Sequence, residues 1–208
     1  SSSGADTVLN WAPDAKAVLI TTTSGISPWR NPLALVPIDG RLPQPLEIDG
    51  GVQGMIKQDG STLAFNRMGG SYWRKGYKGN RSDDVWTQDL KTKKITRLTD
   101  TELKEYKNFT QDVYPMWGQD GMIYFSSERT GHFNIYRIAA TGGAPQQMTS
   151  HTDDGVEVPA PARATARTLA CAVATRSPPG WTGLAGSGRL LAVGGGGQPG
   201  WILKCKGW

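Results

Sequence analysis

Short apolar runs bounded by turn residues recur along the chain. Three segments line up: NWAPDAKAVLITT (10–22), GMIKQDGSTLAFNR (54–67) and PMWGQDGMIYFSSER (115–129). Each carries an apolar residue, a turn centred on Asp14, Asp59 or Asp120, and then a β-rich run. The runs are Val18-Leu19-Ile20, Leu63-Ala64-Phe65 and Ile123-Tyr124-Phe125. Asp-Gly at 59–60 and 120–121 marks tight turns, because glycine takes a positive φ at no steric cost.

A second strand is predicted after each run, at 33–36, 85–90 and 135–138. Turns follow at Asp39-Gly40, Lys91-Thr92-Lys93 and Thr141-Gly142-Gly143. A third strand then closes each unit, at 43–48, 93–99 and 145–150. The turn aspartates stand 45 and 61 residues apart, the longer step being due to insertions at 69–84 and 100–112. Short strands with no sustained helical period predict an all-β chain; only TDTELKEYKN (99–108) has helical composition. Repeats of this length with three to four antiparallel strands are the signature of β-propeller blades, which are small sheets that bury their faces by stacking on one another. The expected fold is thus an incomplete β-propeller with an irregular Gly/Pro-rich C-terminal tail. Trp11, Phe65, Trp86, Trp117, Tyr124, Phe125 and Tyr136 are expected between the blades.

This divides the chain into a partial or first blade (1–48), a blade with a long basic and aromatic insertion (49–100), a blade (101–150), a disrupted further blade (151–175) and a tail (176–208). Charge sharpens the last boundary. All 18 acidic residues and 17 of the 23 basic ones precede residue 158, so the net charge of +5 arises in the tail. That distribution argues against a nucleic-acid interface. Both cysteines, Cys171 and Cys205, also lie there, without the spacing of a metal site. The tail reads either as a genuine flexible segment or as the product of a reading-frame change. No run approaches the roughly 20 apolar residues of a membrane helix. The opening SSSGAD, without methionine and already close to a strand pattern, leads us to expect part of a longer protein.

The segments YWRKGYKGNRSDDVWTQDLKTKKITRLTD (72–100) and YPMWGQDGMIYFSSERTGHFNIYRIAATGGAPQQMTSHTDDGV (114–156) resemble the N-terminal β-propeller of tricorn protease and its bacterial homologues. The resemblance rests on the Arg-Lys-Gly-Tyr loop, the strand ending in Asp89, the Arg97-Leu98-Thr99 end and the Ser126-x-x-Arg129-x-Gly131 turn. TolB-like propellers carry similar repeats. The resemblance implies a non-catalytic propeller portion of a serine peptidase that gates or channels peptides toward a catalytic domain absent from this chain. It further implies the remaining domains of that peptidase as partners and homo-oligomers of the full-length protein. No cofactor and no nucleic-acid or membrane partner is expected, and the sequence leaves the compartment unknown, cytoplasmic or periplasmic in a prokaryote. A TolB-like interaction propeller of the cell envelope and the propeller of a prolyl-peptidase-like hydrolase are the alternatives.

No catalytic or metal residue is assigned. His132 and His151 are the only histidines, and Ser126 and Ser127 fall in a repeated blade turn. Asp83 and Asp84 are expected to form exposed pairs with Arg74, Lys75, Lys78 or Arg81. The candidate substrate-binding residues are Arg74, Lys75 and Tyr77 in SYWRKGYKGN (71–80), where cations and rings interleave and suit a peptide or its carboxylate.

Overall fold

The computed structural model describes residues 6–22, 33–67, 82–100, 111–150, 152, 159–161 and 171–173. Among them the chain is all β. The first sheet joins β1 (Asp6–Trp11), β2 (Ala17–Thr22), β3 (Leu33–Pro37) and β4 (Gln44–Pro45) in that order. The second joins β5 (Gly51–Ile56), β6 (Thr62–Arg67), β7 (Val85–Asp89) and β8 (Ile95–Arg97). The third joins β9 (Asp112–Trp117), β10 (Met122–Ser127), β11 (Asn134–Ala139) and β12 (Gln146–Gln147). A two-stranded pair, β13 (Pro159–Pro161) and β14 (Cys171–Val173), follows. Every pairing is antiparallel. These three four-stranded sheets are the blades of an incomplete β-propeller.

The turns repeat down to single hydrogen bonds. The amides of Ala15, Gly60 and Gly121 donate to the carbonyls of Ala12, Lys57 and Gly118, at 2.9, 2.8 and 3.1 Å. The aspartate inside each turn then accepts the amide two residues on: Lys16 to Asp14 at 3.0 Å, Ser61 to Asp59 at 2.9 Å and Met122 to Asp120 at 3.1 Å. The last residue of each turn has positive φ, 57° at Ala15, 74° at Gly60 and 75° at Gly121. Ala15 therefore bears a strain that glycine avoids at the two equivalent positions.

The strand that opens each blade shows in the sequence pattern only through its terminal apolar residue. The structure gives the reason. Each opening strand carries a bulge, between Val8 and Asn10 in β1, between Gly51 and Gln53 in β5, and opposite Tyr124–Ser126 in β9. An extra residue breaks the period-two alternation that identifies strands. The closing strands are shorter than predicted. Pro43, Pro45 and Pro145 supply no amide for a ladder, which fits Gln44–Pro45 and Gln146–Gln147 as two-residue edges.

The blades stack in chain order through their opening strands. β5 packs on β1, β2 and β3, and β9 packs on β5, β6 and β7. Between the first two sheets lie Leu19, Leu33, Ile48, Ile56, Leu63 and Phe65. Gly51 permits this approach: a methyl group there would come within 3.0 Å of Leu33 and Ile48 side-chain atoms. Between the second and third lie Ala64, Val85, Leu98, Trp117, Ile123, Phe125, Tyr136 and Ile138. Phe65, Trp117, Tyr124, Phe125 and Tyr136 are buried and Trp86 half-buried. Trp11 departs from the expectation, being 49% exposed. It pairs with Val18 on the face of the first sheet that points away from the second, where no other described sheet covers it.

Candidate functional site

Antiparallel order places the strand ends that flank the chain's insertions on one rim. Segments 23–32 and 68–81 join β2 to β3 and β6 to β7, while 101–110 joins β8 to β9. All three leave and re-enter where the second and fourth strands end and the first and third begin. The short Asp-containing hairpins occupy the opposite rim. The candidate residues Arg74, Lys75 and Tyr77 lie outside the described residues, as do Arg81, Lys78, His151 and the helical-looking stretch 101–108.

The described part of the insertion rim is built from buried polar groups. The Asp112 amide donates to the Asp83 carbonyl at 2.8 Å, tying together the ends of two insertions. Asn66, fully buried, donates from Nδ2 to the carbonyls of Asp84 at 2.9 Å and Asp112 at 2.6 Å. Its Oδ1 accepts the Tyr114 amide at 2.8 Å, which Gln53 Oε1 also reaches at 3.2 Å. Tyr114 sits in the β9 bulge at φ 58°, an unfavourable conformation for a ring-bearing residue that these acceptors hold in place.

The carboxylates of this rim differ from expectation. Asp83 and Asp84 are buried, at 3% and 5% exposure, rather than exposed, and the partners expected for them, Arg74, Lys75, Lys78 and Arg81, lie outside the described residues. Asp84 Oδ2 accepts Arg97 Nε at 2.8 Å, and Thr99 Oγ1 accepts the Val85 amide at 2.9 Å beside it. The Arg97 guanidinium lies 5.8 Å from the Trp86 ring centroid, with that of Arg67 at 5.2 Å. In the third blade Arg129 Nη2 donates to both oxygens of Asp112 at 2.8 Å, and Nε donates to Ser127 Oγ at 2.9 Å. The guanidinium stands 4.7 Å from the Tyr136 centroid and 5.5 Å from that of Phe125. This ion pair is buried on both sides. Ser126-x-x-Arg129-x-Gly131 is thus an internal clamp: both serines are buried, Ser127 serves Arg129, and Gly131 closes the turn on Glu128 at 2.8 Å.

Titration is perturbed chiefly at the opposite rim. Lys57 and then Ser61 hold the Asp59 carboxyl well below the usual range; the Thr92 amide and hydroxyl lower Asp89, and Arg41 lowers Asp39. Burial raises the Tyr124 hydroxyl, whose partner is Asp120 at 2.9 Å. Among the described residues no group of three His, Cys, Asp or Glu side chains could hold a metal ion. Asn66, the Asp112–Arg129 pair and the Tyr114 bulge escaped sequence reading. Only the Arg129 turn motif signalled part of this arrangement.

A family model described as the tricorn protease N-terminal beta propeller domain matches residues 2–166. The chain belongs to this family. Solved structures agree on the fold of this tricorn-type propeller. The tricorn protease crystal structure is 23% identical with a TM-score of 0.56, over 71% of this chain and 14% of that one. TolB from Acinetobacter baumannii gives 20% and 0.52, over 70% of this chain and 32% of that one. A puromycin-hydrolyzing peptidase of Mycobacterium tuberculosis gives 17% and 0.54, over 71% and 24%. The chain therefore spans less than a third of each of these proteins. Comparison with curated proteins finds no match.

Proposed function

We propose that this chain is the non-catalytic propeller portion of a tricorn-type serine peptidase and that it gates or channels peptides toward a catalytic domain outside it. The family match over residues 2–166 carries the reading. Two features of the chain support it. The serines nearest His132 in sequence, Ser126 and Ser127, are buried in a structural clamp. The insertion bearing Arg74, Lys75 and Tyr77 starts and ends on a rim fixed by Asn66 and by the Asp83–Asp112 contact. The interleaving of cations and aromatic residues in its sequence suits the carboxylate and side chains of a peptide. An interaction propeller without peptidase partners is the second reading, favoured by the likeness to TolB in fold.

Peptide binding tests the first reading. Fluorescence anisotropy of a labelled peptide with a free C-terminal carboxylate should report binding to the chain. Amidation of the peptide, or Arg74→Ala with Lys75→Ala, should weaken it by about tenfold or more, the loss of one charge-assisted contact. Absence of binding, or binding indifferent to these changes, would contradict the peptide-handling role.

A further inference from the structure

The blades pack through their opening strands, so the fourth strand of each is an outer edge. One hydrogen bond is common to all three edges. The amides of Leu46, Leu98 and Met148 donate to the carbonyls of Leu33, Val85 and Ile135, at 2.8, 2.9 and 2.8 Å. This bond fixes the phase of each edge, because main-chain groups alternate between inward and outward along an antiparallel strand. The outward positions are Pro43 and Pro45 in the first blade, Ile95 and Arg97 in the second, and Pro145 and Gln147 in the third. Proline offers no amide to a further strand and so guards an exposed edge. Both blades that flank the second have proline where it has Ile95. Among the described blades only β8 carries an amide at both outward positions, and at three residues it is the longest of the three edges.

The turn that leads into β8 also differs from its counterparts. Lys91, Lys93 and Lys94 are exposed, and none of them forms an ion pair among the described residues. The acid of this turn, Asp89, accepts the amides of Lys91 and Thr92 at 2.9 and 2.7 Å. Lys93 holds a positive φ of 63°, which the corresponding turns of the other blades take on glycine, at Gly40 and at Gly142 and Gly143. Glycine at this position would relieve the strain and remove a charge.

We propose that β8 and its lysine turn form a docking edge for an extended acidic segment of another polypeptide, which adds to the second blade as a fifth strand. The amides and carbonyls of Ile95 and Arg97 supply the main-chain hydrogen bonds of such an addition. The lysines select the partner. A lysine beside an open edge repels a strand of like charge, β8 of another copy included, and admits one whose carboxylates meet it. The Arg97 side chain is already held by Asp84 and Asp100, which leaves Lys91, Lys93 and Lys94 for the partner. A nucleic-acid strand would engage the lysines and leave the outward amides unmet, so the two features together favour a polypeptide. The lysine turn lies on the hairpin rim, opposite the rim where the insertion bearing Arg74 and Lys75 starts.

Fluorescence anisotropy of the chain with a labelled peptide of about eight residues, alternating glutamate with threonine or valine, tests this. Both ends of the peptide are capped, so that no terminal carboxylate takes part. The expected dissociation constant is about 100 µM or tighter, rising as salt is raised from about 50 to 300 mM. Lys93→Gly with Lys94→Ala should weaken binding about fivefold or more, and glycine keeps the φ of 63° within its range. N-methylation of alternate peptide amides should abolish binding with the protein left untouched. The proposal is overturned by absence of binding at about 1 mM peptide, or by equal binding of a peptide with lysine in place of glutamate. Indifference to the lysine variant or to N-methylation would overturn it too. Loss of binding in Arg74→Ala with Lys75→Ala, with the lysine turn intact, would assign the peptide to the insertion instead. Preference for a single-stranded oligonucleotide, lost in the lysine variant, would assign the turn to phosphates and equally overturn the docking edge.

Discussion

Replacing Asn66 should loosen the joint between the second and third blades. The side chain is fully buried and serves three backbone groups: the carbonyls of Asp84 and Asp112 and the amide of Tyr114. In Asn66→Ala the Tyr114 amide keeps Gln53 Oε1 at 3.2 Å, so the principal loss falls on the two carbonyls. A buried group left unsatisfied costs about 1–3 kcal/mol, which makes the expected loss for the two carbonyls about 2–6 kcal/mol. That is a large share of a total stability of about 5–15 kcal/mol. Asn66→Asp should be at least as harmful near neutrality, since an oxygen then faces two carbonyl oxygens, and less so in acid. The control is Thr21, at the same register of the first blade through its pairing with Leu33, as Asn66 pairs with Val85. Its buried Oγ1 has no hydrogen-bond partner among the described residues. Thr21→Val should therefore be neutral or stabilising by up to about 1 kcal/mol. Urea titration followed by circular dichroism gives these differences, and amide exchange at Tyr114 should accelerate in Asn66→Ala. A cost below about 1 kcal/mol for Asn66→Ala, with Tyr114 still protected, would refute the role given to this side chain.

Three further outcomes follow from the repeat. Ala15→Gly relieves a positive φ of 57° and should raise stability by about 1 kcal/mol, while Gly60→Ala at φ 74° should lower it by a similar amount, both read from thermal melts. Arg129→Met strands a buried Asp112 carboxylate and should cost about 3–5 kcal/mol in urea titration, with Asp112→Asn in the same chain restoring part of the loss. Asp59 and Asp89 have carboxyl groups held below their ordinary value of 3.8, so the stability they lend is complete above that pH and is lost as pH falls through their folded values. The decline of the melting temperature in acid should accordingly be shallower in Asp59→Asn with Asp89→Asn than in the parent chain.

The residues explain which features could be read in advance. Asp14, Asp59 and Asp120 announce their turns because the signal is local: an aspartate that accepts the amide two residues on, followed in two cases by glycine. Phe65, Ile123 and Phe125 follow from alternation in strands without bulges. The opening strands were hidden by their bulges, which shift the alternation midway. Asp83 and Asp84 looked like surface charges because Arg97 is 13 residues beyond Asp84 and meets it only once β7 and β8 have paired. Asn66 reads as an ordinary strand-end polar residue, and its partners Asp112 and Tyr114 belong to another blade, 46 and 48 residues away. Trp11 shares its sequence context with Trp117, and only the stacking order distinguishes the covered residue from the exposed one.

The central claim, a propeller that handles peptides without cutting them, is tested most directly by intact-mass analysis of a long peptide incubated with the chain. The account predicts that the peptide is recovered whole, at the rate of a protein-free blank. Cleavage abolished by a serine-reactive inhibitor would contradict it.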